Sequence, residues 1–169
     1  TTDYTLLARD KDYGNSSYGA DFDNNNRLVT TSYDGYIRLY EVEAETGVTL
    51  RLVAKEMPSG GKMPYSVSFS PDNSKIAVGF ANSINVNVLS GNDLSLLYSP
   101  DTGDIQKGTL FAVSWSSDGK FLYAGGGYNK RYKEKYEEKW VSPIRYPILK
   151  WQDAGKGTYT EIIASNDRI

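Results

Sequence analysis

Between Tyr65 and Gly79 the chain spells a strand, a tight turn and a second strand, and the same order of residues recurs on both sides. Tyr65, Val67 and Phe69 alternate with Ser66, Ser68 and Ser70, the period of two that puts large side chains on one face of a strand. Pro71-Asp72-Asn73-Ser74 supplies turn chemistry, and Ile76-Ala77-Val78-Gly79-Phe80 resumes an apolar run. Downstream, Phe111, Val113 and Trp115 alternate with small residues before Ser117-Asp118-Gly119-Lys120 and a run from Phe121 to Gly125. Upstream, Tyr18, Ala20 and Phe22 do the same before Asn24-Asn25-Asn26 and Leu28-Val29-Thr30-Thr31-Ser32. Phe22, Phe69 and Trp115 stand 47 and 46 residues apart, a spacing that sets a repeat of several short strands.

A repeat of that length is the mark of blades stacked around a ring. Each unit contains two further strands. After the first hairpin come Tyr36–Val42 and Thr49–Lys55; after the second, Ile84–Leu89 and Leu94–Tyr98; after the third, Pro147–Trp151 and Thr158–Ile163. The fold class expected is all-β: β-propeller blades of four antiparallel strands, about three full blades at 17–55, 65–98 and 110–164. One extra N-terminal strand is expected at Tyr4–Arg9. Fourteen tyrosines agree with strands, and no stretch reaches the roughly 18 consecutive apolar residues of a membrane helix. A net charge of −2 gives no general attraction to nucleic acid or to an anionic membrane.

The chain has neither cysteine nor histidine. That removes disulfides, thiolate nucleophiles, Ser-His-Asp and Cys-His arrangements and most zinc chemistry, and it leaves the redox compartment open. No cofactor and no metal are expected. The run Asp21, Asp23, Asn25 has the alternate oxygen spacing of a calcium loop. It lacks that loop's glycine and glutamate, and its asparagines fall where the other units place a hairpin turn, so it is read as a turn. Gly125-Gly126-Gly127 has no strand-to-helix setting for a phosphate loop and is read as a strand end that permits close backbone approach. Asn15-Ser16-Ser17 is a formal glycosylation acceptor with no sign of secretion beside it.

Ser70-Pro71-Asp72-Asn73, Ser116-Ser117-Asp118-Gly119-Lys120 and Asp34-Gly35-Tyr36-Ile37-Arg38-Leu39-Tyr40 resemble the turn and third-strand signatures of the WD-repeat β-propeller family. The resemblance covers about residues 17–164 and is divergent, in the manner of bacterial members. It implies that Tyr40 and Trp151 take the place of the family's tryptophan and that Asn87 does so in the second unit. It also implies a hydrogen-bonded network through a histidine that this chain lacks, so that cohesion between blades is expected to rest on Phe22, Val67, Phe69, Val113 and Trp115. Three blades do not close a ring, so the remaining blades are expected from the same parent protein or from another chain.

The part least like the repeat is the insertion 127–146. Tyr128, Tyr132, Tyr136 and Trp140 are spaced by four, as along a helix, and are all even-numbered, as on one face of a hairpin; flanking strands favour the hairpin. Arg131 and Arg145 stand among these rings with several lysines. Basic residues among aromatics suit a protein-binding rim or stacked bases, and the plain alternative is a solvated hairpin covering a neighbouring blade. The candidate binding residues are therefore Tyr128, Arg131, Tyr132, Tyr136, Trp140 and Arg145. The function expected is a non-enzymatic scaffold for a protein partner, with nucleic acid disfavoured and no membrane. The competing reading is a propeller enzyme or sugar-binding module that uses Asp10, Asp12 and Asp21 near the central channel.

Overall fold

A computed structural model of the chain describes residues 6, 8–43, 48–103, 105–134, 137–140 and 146–162. The first blade is one antiparallel sheet in sequence order: β1 (Ser17–Phe22), β2 (Arg27–Ser32), β3 (Ile37–Glu43) and β4 (Thr49–Glu56). The second contains β5 (Pro64–Phe69), β6 (Lys75–Phe80), β7 (Val86–Ser90) and β8 (Leu96–Tyr98). The third is built on β9 (Ile105–Trp115), β10 (Leu122–Glu134), β12 (Ile148–Trp151) and β13 (Tyr159–Ile162), with β11 (Glu137–Trp140) pairing β10 alone. The strands are antiparallel throughout, and the four-stranded propeller blade expected from the repeat is what forms. Of the strand expected at 4–9, Leu6, Ala8 and Arg9 are described and none is in a strand; the rest lies outside the described residues.

The inner hairpins form because their turns satisfy their own backbone. Asp23 N–H donates to Arg27 O, Ser70 N–H to Lys75 O and Ser116 N–H to Phe121 O. Asn26, Asn73 and Gly119 hold the positive-φ position of these turns, a conformation that Asn and Gly accept at low cost. Asp72 closes the second turn by accepting from Ser70 Oγ at 2.6 Å and from Ser74 N–H at 3.1 Å. Asp118 does the same with Ser116 Oγ and Lys120 N–H.

These bonds make Arg27, Lys75 and Phe121 equivalent, and strand pairing then corrects one assignment. Leu28 pairs with Tyr40, Ile76 with Leu89 and Leu122 with Trp151. The residue equivalent to Tyr40 and Trp151 is therefore Leu89. Asn87, paired with Val78, is the counterpart of Arg38, paired with Thr30.

Two apolar layers lie between blades. Val29, Ile37 and Leu39 of the first blade meet Val67, Phe69, Ile76, Val78 and Phe80 of the second. Ala77, Val86 and Val88 of the second meet Leu110, Leu122, Ala124, Leu149 and Trp151 of the third. The second blade thus turns Val67 and Phe69, and the third Val113 and Trp115, onto the face of the blade before it. Hydrogen bonds add to this packing. Asp21 accepts the Phe69 N–H at 2.7 Å, Thr31 Oγ1 donates to Tyr65 O at 2.7 Å, and Trp115 Nε1 donates to Ser68 O at 3.1 Å. Cohesion is thus apolar and polar together.

Candidate functional site

The loops that precede the inner strands gather at one end of the blades, and the first of them is clamped from below. Asp34 accepts from Gly14 N–H at 3.1 Å and Tyr36 N–H at 3.0 Å, and it pairs with Arg38 Nη2 at 2.6 Å. Arg38 is only 1% exposed; it also donates to Asp12 O, and its guanidinium lies 4.0 Å from the centre of the Tyr13 ring. Tyr13 shares a 2.6 Å hydrogen bond with Thr30, and Tyr40 Oη donates to Asp10 at 2.6 Å. Burial alone would raise the Asp34 carboxyl, but the Arg38 bond and the two N–H donors outweigh it and hold it well below the usual range. Burial, then the bond to Asp10, drives the Tyr40 phenol far upward, so it stays a neutral donor. The loop before β5 is fixed more lightly, by Gly60 N–H donating to Asn87 Oδ1 at 2.7 Å and by Lys62 and Met63 N–H donating to Asn82. Trp151 Nε1 donates to Asp101 O in the loop before β9. In each blade a third-strand side chain, Arg38, Asn87 or Trp151, thus ties down the loop before the inner strand.

On this rigid base stands a row of aromatic rings. Tyr18, Tyr65 and Phe111 stand at equivalent positions of the three inner strands, each four residues before Phe22, Phe69 or Trp115. Tyr18 stacks on Tyr65 with centroids 5.1 Å apart, Tyr65 meets Phe111 edge-on at 5.6 Å, and Tyr33 lies 4.0 Å from Tyr18. Tyr18 is 50% exposed and Phe111 39%. The repeat spacing placed three of these rings in the sequence; Tyr33 carried no signal, because it enters the row from the turn before β3.

The insertion is a hairpin. Beyond the blade, β10 continues and pairs with β11 on one side, Arg131 opposite Trp140 and Tyr132 opposite Lys139. On the other side β10 pairs with the start of β9, Tyr128 opposite Gly108 and Asn129 opposite Lys107. The sequence reading began that inner strand at residue 110; the added length from Ile105 is what the insertion pairs with. Tyr128, 2% exposed, belongs to the second apolar layer. Tyr136 and Arg145 lie outside the described residues. The three glycines lie within β10, at a break in its register with β9, and a Cβ on Gly126 would stand 1.9 Å from Thr109 O, so the close backbone approach is real.

The carboxylates once set aside for catalysis are engaged. Asp10 accepts from Tyr40, which holds it below its ordinary range, Asp12 pairs with Lys55, and Asp21 accepts from Phe69 N–H. Asp23 accepts from Asn25 N–H and Arg27 N–H and pairs with Arg27 Nε at 2.7 Å, which accounts for the calcium-like run as turn and inter-blade chemistry. Among the described residues no three carboxylates gather to hold a metal ion, and no helix is long and apolar enough to cross a membrane.

Residues 14–41 match the family model for the WD domain, G-beta repeat (WD40). No match to a curated protein sequence was found. Among solved structures, the chain is similar to the C-terminal WD40 domain of Sif2, with a TM-score of 0.61 and 13% identity over 90% of this chain and 38% of that one. It is similar to the WD40 β-propeller domain of Doa1, with a TM-score of 0.53 and 13% identity over 93% of this chain and 57% of that one. The chain thus spans less than two thirds of either domain. It has the WD40 β-propeller fold, as a part of a propeller, and carries one repeat that the family's model recognises.

Proposed function

We propose that the chain is a non-enzymatic interaction scaffold whose loop end receives a protein partner. The observation that carries this reading is the row Tyr18, Tyr33, Tyr65 and Phe111, with Tyr18 and Phe111 exposed, beside loops that buried polar contacts hold in place. Rigid aromatic rings give large contact area at little entropic cost, and preorganised loops add to affinity. The hairpin insertion extends from the same end of β10, with Tyr128 rooting it and Arg131, Tyr132, Tyr136, Trp140 and Arg145 as further contacts. WD40 propellers in general act as protein-interaction scaffolds, which agrees. The blades are drawn at 17–55, 65–98 and 110–164, and the faces left open at either end take further blades.

Affinity capture with the intact chain as bait tests this. A partner whose retention falls tenfold or more with Tyr18→Ala and Phe111→Ala together supports the rim; unchanged retention refutes it. Removal of 128–146 is the separate arm for the insertion, and full retention there would strip the hairpin of its role.

A further inference from the structure

We propose that Tyr18 and Tyr33 form an oxidative cross-linking site, at which a one-electron oxidant joins the two phenol rings through a carbon–carbon bond and so ties β1 to the turn before β3. The site goes beyond the scaffold reading and does not depend on it.

The rings are held in contact before any chemistry. Their centroids lie 4.0 Å apart with planes 31° from parallel, which sets carbons of one ring against carbons of the other. Tyr65 stacks on Tyr18 as well, but from 5.1 Å. Hydrogen bonds fix both partners: Tyr33 N–H donates to Ser16 O at 3.0 Å, and Gly19 N–H, next to Tyr18, donates to Thr31 Oγ1 at 2.9 Å. Burial, and then the phenols of Tyr18 and Tyr65, raise the Tyr33 phenol above its ordinary value, so the oxygen-bearing ends of these rings lie together. The ring carbons next to those oxygens, which carry the unpaired electron of a phenoxyl radical, are therefore neighbours. Tyr18 is 50% exposed, so an oxidant reaches it directly.

Each phenol gives up one electron to the oxidant and one proton to water. The two phenoxyl radicals then couple between ortho carbons. The ring hydrogens at the new bond move to the oxygens, which restores both phenols and leaves the product lighter by two hydrogens. The oxidant belongs to the class that takes single electrons, such as the ferryl haem of a peroxidase or a photogenerated ruthenium(III) complex. Peroxide alone acts as a two-electron oxidant, and its target is the thioether of Met57, which is 59% exposed. The chain has no cysteine to quench the radicals. Rings already in contact couple within one chain as a unimolecular step, at an effective molarity far above any protein concentration.

Photogenerated ruthenium(III), applied to the intact chain at low concentration, tests the site. The expected product has the mass of one 18.8 kDa chain less two hydrogens and the blue fluorescence of coupled tyrosines. Trypsin should release from it peptide 12–27 joined to peptide 28–38. Tyr18→Phe and Tyr33→Phe, which keep each ring and remove only the phenol oxygen, should each abolish the joined pair. Tyr13→Phe and Tyr36→Phe, on the same two peptides, should leave it in place. Coupling only between chains, a link from 12–27 to 63–75 instead, oxygen addition without coupling, or a link that survives Tyr18→Phe or Tyr33→Phe overturns the proposal.

Discussion

Phe22 and Phe69 hold the same place in two copies of one repeat, yet more than half of the first side chain is open to water and almost none of the second. The sequence around them is the same kind of alternation, and the turns after them close with the same backbone bond. What differs is the neighbour. Phe69 has the first blade's Val29, Ile37 and Leu39 to pack on, whereas among the described residues no blade packs on Phe22. The lesson is that the repeat encodes a surface to be covered, and among the described residues the central blade has a blade packed on each of its faces. The same contrast divides the first blade itself: residues 10–16 cover Thr30, Ser32, Arg38 and Tyr40, while Tyr18, Ala20 and Phe22 of β1 stay exposed.

The largest effects should fall on covered positions. Phe69→Ala empties an inter-blade core and is expected to cost roughly 3–5 kcal/mol, whereas Phe22→Ala, measured in dilute single chains, should stay within about 0.5 kcal/mol. Urea unfolding of both variants checks the contrast, and equal costs would break it. Asp34→Ala leaves the buried Arg38 without its carboxylate, for a loss of roughly 3–5 kcal/mol in the same experiment. It should also loosen residues 10–16, visible as faster amide exchange at Gly14. Gly79→Val forces a side chain onto the backbone of the third blade, at about 1–3 kcal/mol, while Gly125→Val should cost dilute chains almost nothing.

The smallest expected effect is one of pH. Serine hydroxyls and turn N–H groups lower Asp72 and Asp118 from 3.8 to about 2. A carboxylate lowered on folding binds its proton more readily in the unfolded chain, so its contribution is full above pH 3.8 and is lost as pH falls toward 2. Acid titration of stability should show that fall, and Asp72→Asn with Asp118→Asn should flatten it. An unchanged slope would remove the turns from the account.

The repeat and its turns were legible because they are local: alternation and Pro-Asp or Asp-Gly chemistry need no distant partner. The inner-strand aromatics Tyr18, Tyr65 and Phe111 were visible for the same reason, through their spacing. What escaped the sequence was pairing at a distance. Leu89 was passed over for Asn87 because only strand register reveals the offset. The early start of β9 at Ile105 was hidden because its partner is the insertion and Gly108 interrupts the alternation. Asp21 resembled a ligand until the Phe69 N–H, on the next blade, proved to be its partner.

The chain has no cysteine, so a single thiol reports on one position at a time. Phe22→Cys and Phe69→Cys, labelled with a thiol reagent at concentrations too low for association, test the difference between the blades most directly. Open and covered equivalents predict that the thiol at position 22 reacts at nearly the rate of a free thiol and that the one at position 69 reacts on the order of a hundredfold more slowly, through opening of the fold. Equal rates at the two positions would contradict it.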